Sequence, residues 1–467
     1  MNASFQERLF LGFLALLVWM PLPLGSNRPW AAAILEVWVY LLAMGWLWGF
    51  YRLEFELGPV FKKARFILIL LFCWLLYAAF QFIPLPYTLI SMLSPEAARM
   101  HALAQQSGWI TLSVDAYAST MAWFKSLAYA LVFCLALLLV NTRRRLEMLA
   151  YLIVLSGLFQ AFYGAFMTLS GLEYGFFFKK YTYIGHATGT FINRNHLAGY
   201  LEMCLAVGIG LMISNLGGSS AAHTWRQKMR GFLQLLLSSK LRLRLYLAVM
   251  VIALVLTHSR MGNSAFFSSM IAAGIIGLIL SKHAPRSTVI LLASLIVIDT
   301  FIVGTWFGVE KVVTRLENTS VVGDAGRIDV TENALKQWKA YLLTGSGGGS
   351  FYAVFPRYRT EELSLYFDHA HDDYVEFGTE YGVAGMLLLG AIVLSSFFAA
   401  ILAQYRRRNP LMRGMAFASA MGIIALMIHS SVDFNLQIPC NAATFMVMLA
   451  LAWISLHLER GIDYSRN

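Results

Sequence analysis

The densest cluster of ionisable side chains is Asp368-His369-Ala370-His371-Asp372-Asp373-Tyr374, followed by Glu376 and Glu380 as a long apolar run begins. Imidazole changes charge nearest neutral pH, so a neutral His371 flanked by acids has the makings of a general base. A helix N-terminus disfavours an imidazolium and neighbouring carboxylates favour one, and sequence leaves that balance open. The ordinary reading is that His369 and His371 are interfacial histidines satisfied by adjacent acids. His-x-His beside acids also offers metal-ligand types, but nothing enforces a ligand spacing, so no metal is expected. Two arginines could serve the same chemistry: Arg260 in Thr257-His258-Ser259-Arg260-Met261-Gly262, and Arg327 in Gly323-Asp324-Ala325-Gly326-Arg327. Guanidinium is the preferred fork for phosphate oxygens, and two beside a helix N-terminus would clamp a diphosphate. Their plainer roles are a headgroup anchor for Arg260 and a weak surface pair with Asp324 or Asp329 for Arg327. Asn193-Arg194-Asn195-His196 opens an apolar run, either as a helix cap or to hold polar substrate. Asp433, in a short turn, caps a helix or binds sugar hydroxyls. Glu36, Glu202 and Asp299 lie inside apolar runs, as interhelical partners or along a conduction path, and are too scattered for a proton relay. The run Gly345-Ser346-Gly347-Gly348-Gly349-Ser350 lacks the Gly-Lys-Ser/Thr of a phosphate loop and reads as a turn.

The elements that must position these groups are membrane spans. Of 467 residues, 58% are hydrophobic and 13% charged, whereas soluble domains are near half apolar and a quarter charged. A span needs about 20 apolar residues. Twelve runs qualify, at roughly 7–24, 30–50, 65–83, 120–140, 147–169, 194–214, 245–257, 262–280, 288–308, 373–404, 411–431 and 438–457. The first lacks an A-x-A-like cleavage site and reads as a span. With the N-terminus inside, 22 of the 36 Lys and Arg residues fall in inner segments, and every short inner loop carries a basic cluster, as the positive-inside rule requires. The net charge of +11 therefore reflects topology and not nucleic-acid binding. Both termini are expected on the cytoplasmic side, and every candidate site residue on the outer side. Cys73, Cys134, Cys204 and Cys440 lie within apolar runs with no CxxC pair, which implies packing and no disulfide framework. Outer loop 84–119 has no evident catalytic cluster. Outer loop 309–372 shows helical spacing from Ile328 to Leu342, with Leu335, Trp338 and Leu342 on one face. The fold expected is an all-α integral membrane protein: a single domain, 1–467, of about twelve transmembrane helices, capped by loop 309–372.

Several stretches in this order resemble the O-antigen ligase and O-antigen polymerase superfamily of bacterial envelope glycosyltransferases. They are Phe191-Ile192-Asn193-Arg194-Asn195-His196-Leu197-Ala198, Ser259-Arg260-Met261-Gly262, Arg327 with Trp338 and Leu343-Thr344-Gly345-Ser346-Gly347, and His371-Asp372-Asp373-Tyr374 through Glu380-Tyr381-Gly382. Family members more often carry Asn where Asp372 stands. The resemblance implies an inner-membrane enzyme whose active site faces the periplasm and needs neither metal nor nucleotide. It would move an oligosaccharide from a polyprenyl-diphosphate carrier to a hydroxyl, on lipid A-core or on a growing glycan. It implies His371 as general base, Arg260 and Arg327 on the diphosphate, and Asn193, Arg194, Asn195, His369 and Asp433 binding substrate. Ligase, polymerase and protein glycosylation are not separated by these motifs. A transporter or flippase of the same lipids is the alternative class; its charged groups should lie near the midplane within repeated halves. A structural scaffold would leave His371, Arg260 and Arg327 freely replaceable.

Overall fold

The computed structural model describes residues 2–215, 239–280, 321–360 and 367–459. Eleven of the twelve expected spans fall on helices: α1 (Asn2–Trp19), α2 (Pro29–Tyr51), α3 (Arg65–Phe82), α4 (Ala116–Leu139), α5 (Arg143–Leu169), α6 (Arg194–Ser214), α7 (Ser239–Leu256), α8 (Arg260–Leu280), α10 (Asp373–Arg406), α11 (Pro410–His429) and α12 (Pro439–His457). Loop helix α9 is Val321–Ala340. The expected span at 288–308, which also holds Asp299, lies outside the described residues. Nine of these helices, all but α1, α7 and α9, are long and apolar enough to cross a membrane.

Local chemistry sets the boundaries. Helix α1 stops at Trp19, short of the expected residue 24, because Pro21 and Pro23 follow; proline lacks the N–H a continuing helix needs. Side-chain oxygens of Asp115, Thr142, Asn193, Asp372 and Asn409 accept backbone N–H bonds at the starts of α4, α5, α6, α10 and α11, satisfying groups that have no intrahelical partner.

Helices α6, α11 and α12 are buried on nearly all sides, while α2, α3, α5, α8 and α10 leave much of their surface on the outside of the bundle. Lipid tails are as apolar as leucine, so close packing and hydrogen bonds hold such a bundle together. At the α6–α11 crossing, a Cβ on Gly210 would lie 2.3 Å from the Gly414 carbonyl oxygen. Below the site end, Glu202 of α6 and His429 of α11, both fully buried, meet at 2.7 Å.

Helix α10 is broken. Gly382 has φ 61° and ψ −172°, a conformation open essentially to glycine alone. The carbonyls freed by the break bond elsewhere: Thr379 accepts from Ser346 N–H at 2.8 Å, Glu380 from Gly347 N–H at 2.9 Å, and Tyr381 from the Tyr77 hydroxyl at 2.6 Å. On the far side, the N–H groups of Val383 and Ala384 donate to Leu342 and Leu343 carbonyls at 2.8 and 3.2 Å. The Gly-rich run is thus a turn, as its sequence implied, and its backbone together with that of Leu342 and Leu343 splices the two halves of α10.

The loops hold more structure than expected. Loop 84–119 contains two short helices, Tyr87–Leu93 and Pro95–Leu103, and a two-residue ladder pairing Leu85 with Ile110. A second such ladder joins Tyr174–Gly175 to Phe178–Lys179; these minimal pairings are additions to the all-α expectation. Helix α9 starts seven residues earlier than the Ile328 start expected, and the face its apolar spacing marks is only partly the covered one. Leu335 and Leu342 are exposed, and among the described side chains of α9 the buried ones are Val330, Asn333, Ala334 and Gln337. The α9–α10 contact is built on small and polar groups, with Trp338 lying over Gly378, where a Cβ would come within 2.5 Å of the indole.

Candidate active site

The turn joining α11 to α12 is clamped onto the start of α10. Asp373 N–H donates to the Ser430 and Asp433 carbonyls at 2.9 and 3.2 Å. Its carboxylate Oδ2 accepts from Ser430 Oγ at 2.7 Å and Leu436 N–H at 3.0 Å. The clamp fixes Phe434, whose N–H donates to Asp433 Oδ1 at 2.8 Å. Three imidazoles surround that phenyl ring. His369 stacks on it, with centroids 4.4 Å apart and planes 19° apart, while His196 and His371 meet it edge-on at 4.7 and 4.9 Å.

Each imidazole has its own polar setting. Glu376, a turn into α10, places Oε1 2.7 Å from His369 Nδ1, and its Oε2 accepts the Ala370 N–H at 2.8 Å. Burial alone would push the His369 imidazole towards neutrality; the Glu376 carboxylate overrides it, with Asp368 and Glu380 adding, and holds the ring protonated up to about 9. His369 is therefore a cation at neutral pH. His371 adopts φ 56°, the left-handed region that non-glycine residues seldom occupy and that is common at functional sites. It is half-buried, with Phe367 edge-on at 6.0 Å. His196, in the first turn of α6, lies 3.5 Å from Asp433 Oδ1 and 3.4 Å from Asn193 Nδ2. Asn195 Nδ2 donates to Asp433 Oδ2.

Asp372 is the N-cap of α10, accepting from Val375 N–H at 3.0 Å. Burial raises its carboxyl above the ordinary range, against the N–H groups of Val375 and Tyr374. Asn and Asp cap helices about equally well, so Asp at this position keeps the job Asn would do.

A second polar group stands at the same end of α6. Arg194 Nη1 lies 3.1 and 3.3 Å from the two His186 ring nitrogens, and His186 Nδ1 is 3.1 Å from His258 Nδ1. His258 forms the break between α7 and α8 at φ 53°. Arg260, two residues on, is exposed at the start of α8. Helix α8 meets α6 closely there, since a Cβ on Gly262 would lie 2.6 Å from that of Ala198. Arg327 lies on α9, its side chain outside the described residues. One turn further along α9, Thr331 Oγ1 donates to the Ala370 carbonyl, between the two histidines, at 3.3 Å.

Of the residues singled out from sequence, Asn193, Asn195, His369, His371 and Asp433 meet in one cluster. Arg194 joins the neighbouring cluster with His186 and His258. Sequence reasoning missed Phe434 and the His186–His258 contact, while the His369–Glu376 pair realises the plainer reading of that histidine as satisfied by a neighbouring acid. Phe434 gave no signal beyond its position after Asp433, because one buried phenylalanine among 33 is ordinary. Among the described residues, no group of three or more His, Cys, Asp or Glu side chains is arranged to hold a metal ion.

No curated protein matches the chain. Residues 245–390 match the family model described as O-antigen ligase, the stretch holding the α7–α8 break, α9, the Gly-rich splice, His369 and His371. Over that stretch, about a third of the chain, the protein is similar to the O-antigen ligases, and nine helices among the described residues are long and apolar enough to cross a membrane.

Proposed function

We propose that the protein transfers or polymerises oligosaccharide, taking it from a polyprenyl-diphosphate carrier and passing it to a hydroxyl on lipid A-core or on a growing glycan. The reaction takes place at the periplasmic face of the inner membrane. The observation that carries this reading is the convergence at one bundle end of a histidine–carboxylate cluster whose His369, His371 and Glu376, at the start of the broken helix α10, lie in the segment that matches the O-antigen ligases. No nucleotide is required, because the glycosyl diphosphate brings its own leaving group. His371 accepts the proton of the acceptor hydroxyl as that oxygen bonds to the anomeric carbon. The bond from that carbon to the diphosphate oxygen breaks, and the electron pair leaves with the diphosphate. Attack from the opposite face inverts the anomeric configuration. Arg260 and Arg327 stabilise the charge on the departing diphosphate, where preorganised cations act most strongly. The His369 imidazolium, protonated up to about 9, adds a third positive group and leaves His371 as the proton acceptor of the pair. Asn193, Arg194, Asn195 and Asp433 hold polar groups of the substrate.

The test is reconstitution into lipid with a radiolabelled polyprenyl-diphosphate oligosaccharide, with and without lipid A-core. Lengthening chains without added acceptor identify a polymerase, and a single jump onto lipid A-core identifies a ligase. His371→Ala should abolish either product. Full turnover by His371→Ala would overturn the assignment of the base. Labelled lipid crossing the bilayer without transfer would replace the enzyme with a transporter.

A further inference from the structure

The connection from α5 to α6 contains a hairpin that the proposed chemistry does not use. Helix α5 exposes Leu155, Phe159, Phe162, Phe166 and Leu169, a spacing of four and three that draws one stripe along the helix. In a membrane-crossing helix such a stripe faces lipid. The aromatic run continues past the helix end into the hairpin, where Phe177 is 84% and Tyr181 71% exposed.

The hairpin folds back along α5. Tyr163 Oη donates to the Tyr174 carbonyl at 3.2 Å and accepts from Phe176 N–H at 2.8 Å. Phe176 packs edge-on against the Tyr163 ring at 5.9 Å, and Phe177 against Phe176 at 4.4 Å. Tyr163 precedes the last residue of α5 by six positions, so the tip lies ~9 Å back from the helix end. Helix α5 has 27 residues and is ~40 Å long, against a hydrocarbon core of ~30 Å. About 20 residues counted from Arg145, at the basic end, reach the far hydrocarbon boundary near Ala165. The tip therefore returns to the depth where hydrocarbon gives way to headgroups.

The root of the hairpin is stiff. Glu173 and Lys180, both buried, pair at 2.5 Å. The same two side chains hold Gly185 N–H at 2.9 Å and the His186 carbonyl at 2.8 Å. The hairpin is thus braced directly to the residue that touches Arg194 and His258.

We propose that residues 172–184 form a membrane foot whose partner is a lipid surface: the headgroup–acyl boundary of the leaflet at the site's end of the bundle. Aromatic side chains suit that layer, and a lipid-exposed turn does not occur within the hydrocarbon itself. The foot sets the depth of His186, and through it of the Arg194–His258 cluster, against the bilayer.

The test needs no transfer activity and so stands apart from the proposed reaction. A nitroxide label is placed at Phe177→Cys, at Tyr181→Cys, and at Ser107→Cys in exposed loop 84–119, with Cys73 and Cys134 replaced by Ala. The full chain is reconstituted into phosphatidylethanolamine–phosphatidylglycerol vesicles, and relaxation by oxygen is compared with relaxation by a water-soluble nickel chelate. The foot predicts that oxygen is favoured several-fold over nickel at positions 177 and 181, with the reverse at 107. A nickel preference at 177 and 181 equal to that at 107 would put the tip in water and overturn the proposal. Shielding of both positions from oxygen and nickel together would mean a protein cover and would overturn it equally.

Discussion

Replacing Glu376 with Gln tests the charge state of His369. In the folded protein, burial works to discharge this imidazole, and the carboxylate 2.7 Å from Nδ1 prevails, keeping it protonated up to about 9 instead of 6.5. That interval is worth ~3 kcal/mol in favour of the charged ring, an upper bound because the His369 side chain is 25% exposed and water screens part of the interaction. The folded value is raised, so the stabilisation is complete below the ordinary value and is lost as pH rises through about 9. Gln keeps the size of Glu376 and an oxygen for the Ala370 N–H but removes the charge. Burial then has no opponent of comparable strength, and His369 should titrate below 6.5. The assay is ring-nitrogen NMR of labelled histidine in lipid nanodiscs, with the His369 signal assigned by its loss in His369→Gln. Apparent melting temperatures give a second readout: the variant should melt below the wild type at about pH 6, and the gap should close at about pH 10. A wild-type His369 that titrates at or below its ordinary value would refute the reasoning. So would a titration unchanged by Glu376→Gln.

Other expectations follow from the same geometry. Either Glu202→Leu or His429→Leu alone strands a buried polar partner and should cost ~3–5 kcal/mol, whereas the double variant should recover much of the loss; melting in detergent reads both. Gly382→Ala should prevent folding, because a Cβ there would lie 2.4 Å from the Leu343 carbonyl group in a glycine-only conformation; the yield of monodisperse protein measures it. Phe434→Leu removes aromatic contacts worth about 0.5–1.5 kcal/mol each. It should lower turnover and raise KM together, measured on the reconstituted reaction, because it loosens His371 along with Asp433 and His369, which touch the same ring. Arg260→Lys should slow transfer, since an ammonium lacks the bidentate fork, and an unchanged rate would remove Arg260 from the diphosphate.

The sequence by itself determined the class of molecule and where to look. Runs of about 20 apolar residues can only be satisfied as helices in lipid, and eleven of the twelve expected spans coincide with helices. The cap at Asn193 was legible because it is local, acting over two residues. The His369–His371 segment stood out because charge is rare where hydrocarbon dominates. Tertiary structure decided the rest. Nothing local to Phe434 announces that residues 196, 369 and 371 pack around it. The covered side of α9 was not legible, because helical spacing shows which residues share a side, and only the neighbour decides which side is covered. Here Gly378 lets Trp338 approach, and small polar groups fill the contact. The break in α10 likewise depends on carbonyls and N–H groups supplied by residues 342–347, some 35 positions earlier. The charge of His369 was undecidable from sequence, because burial and a carboxylate pull it in opposite directions and only distance says which prevails.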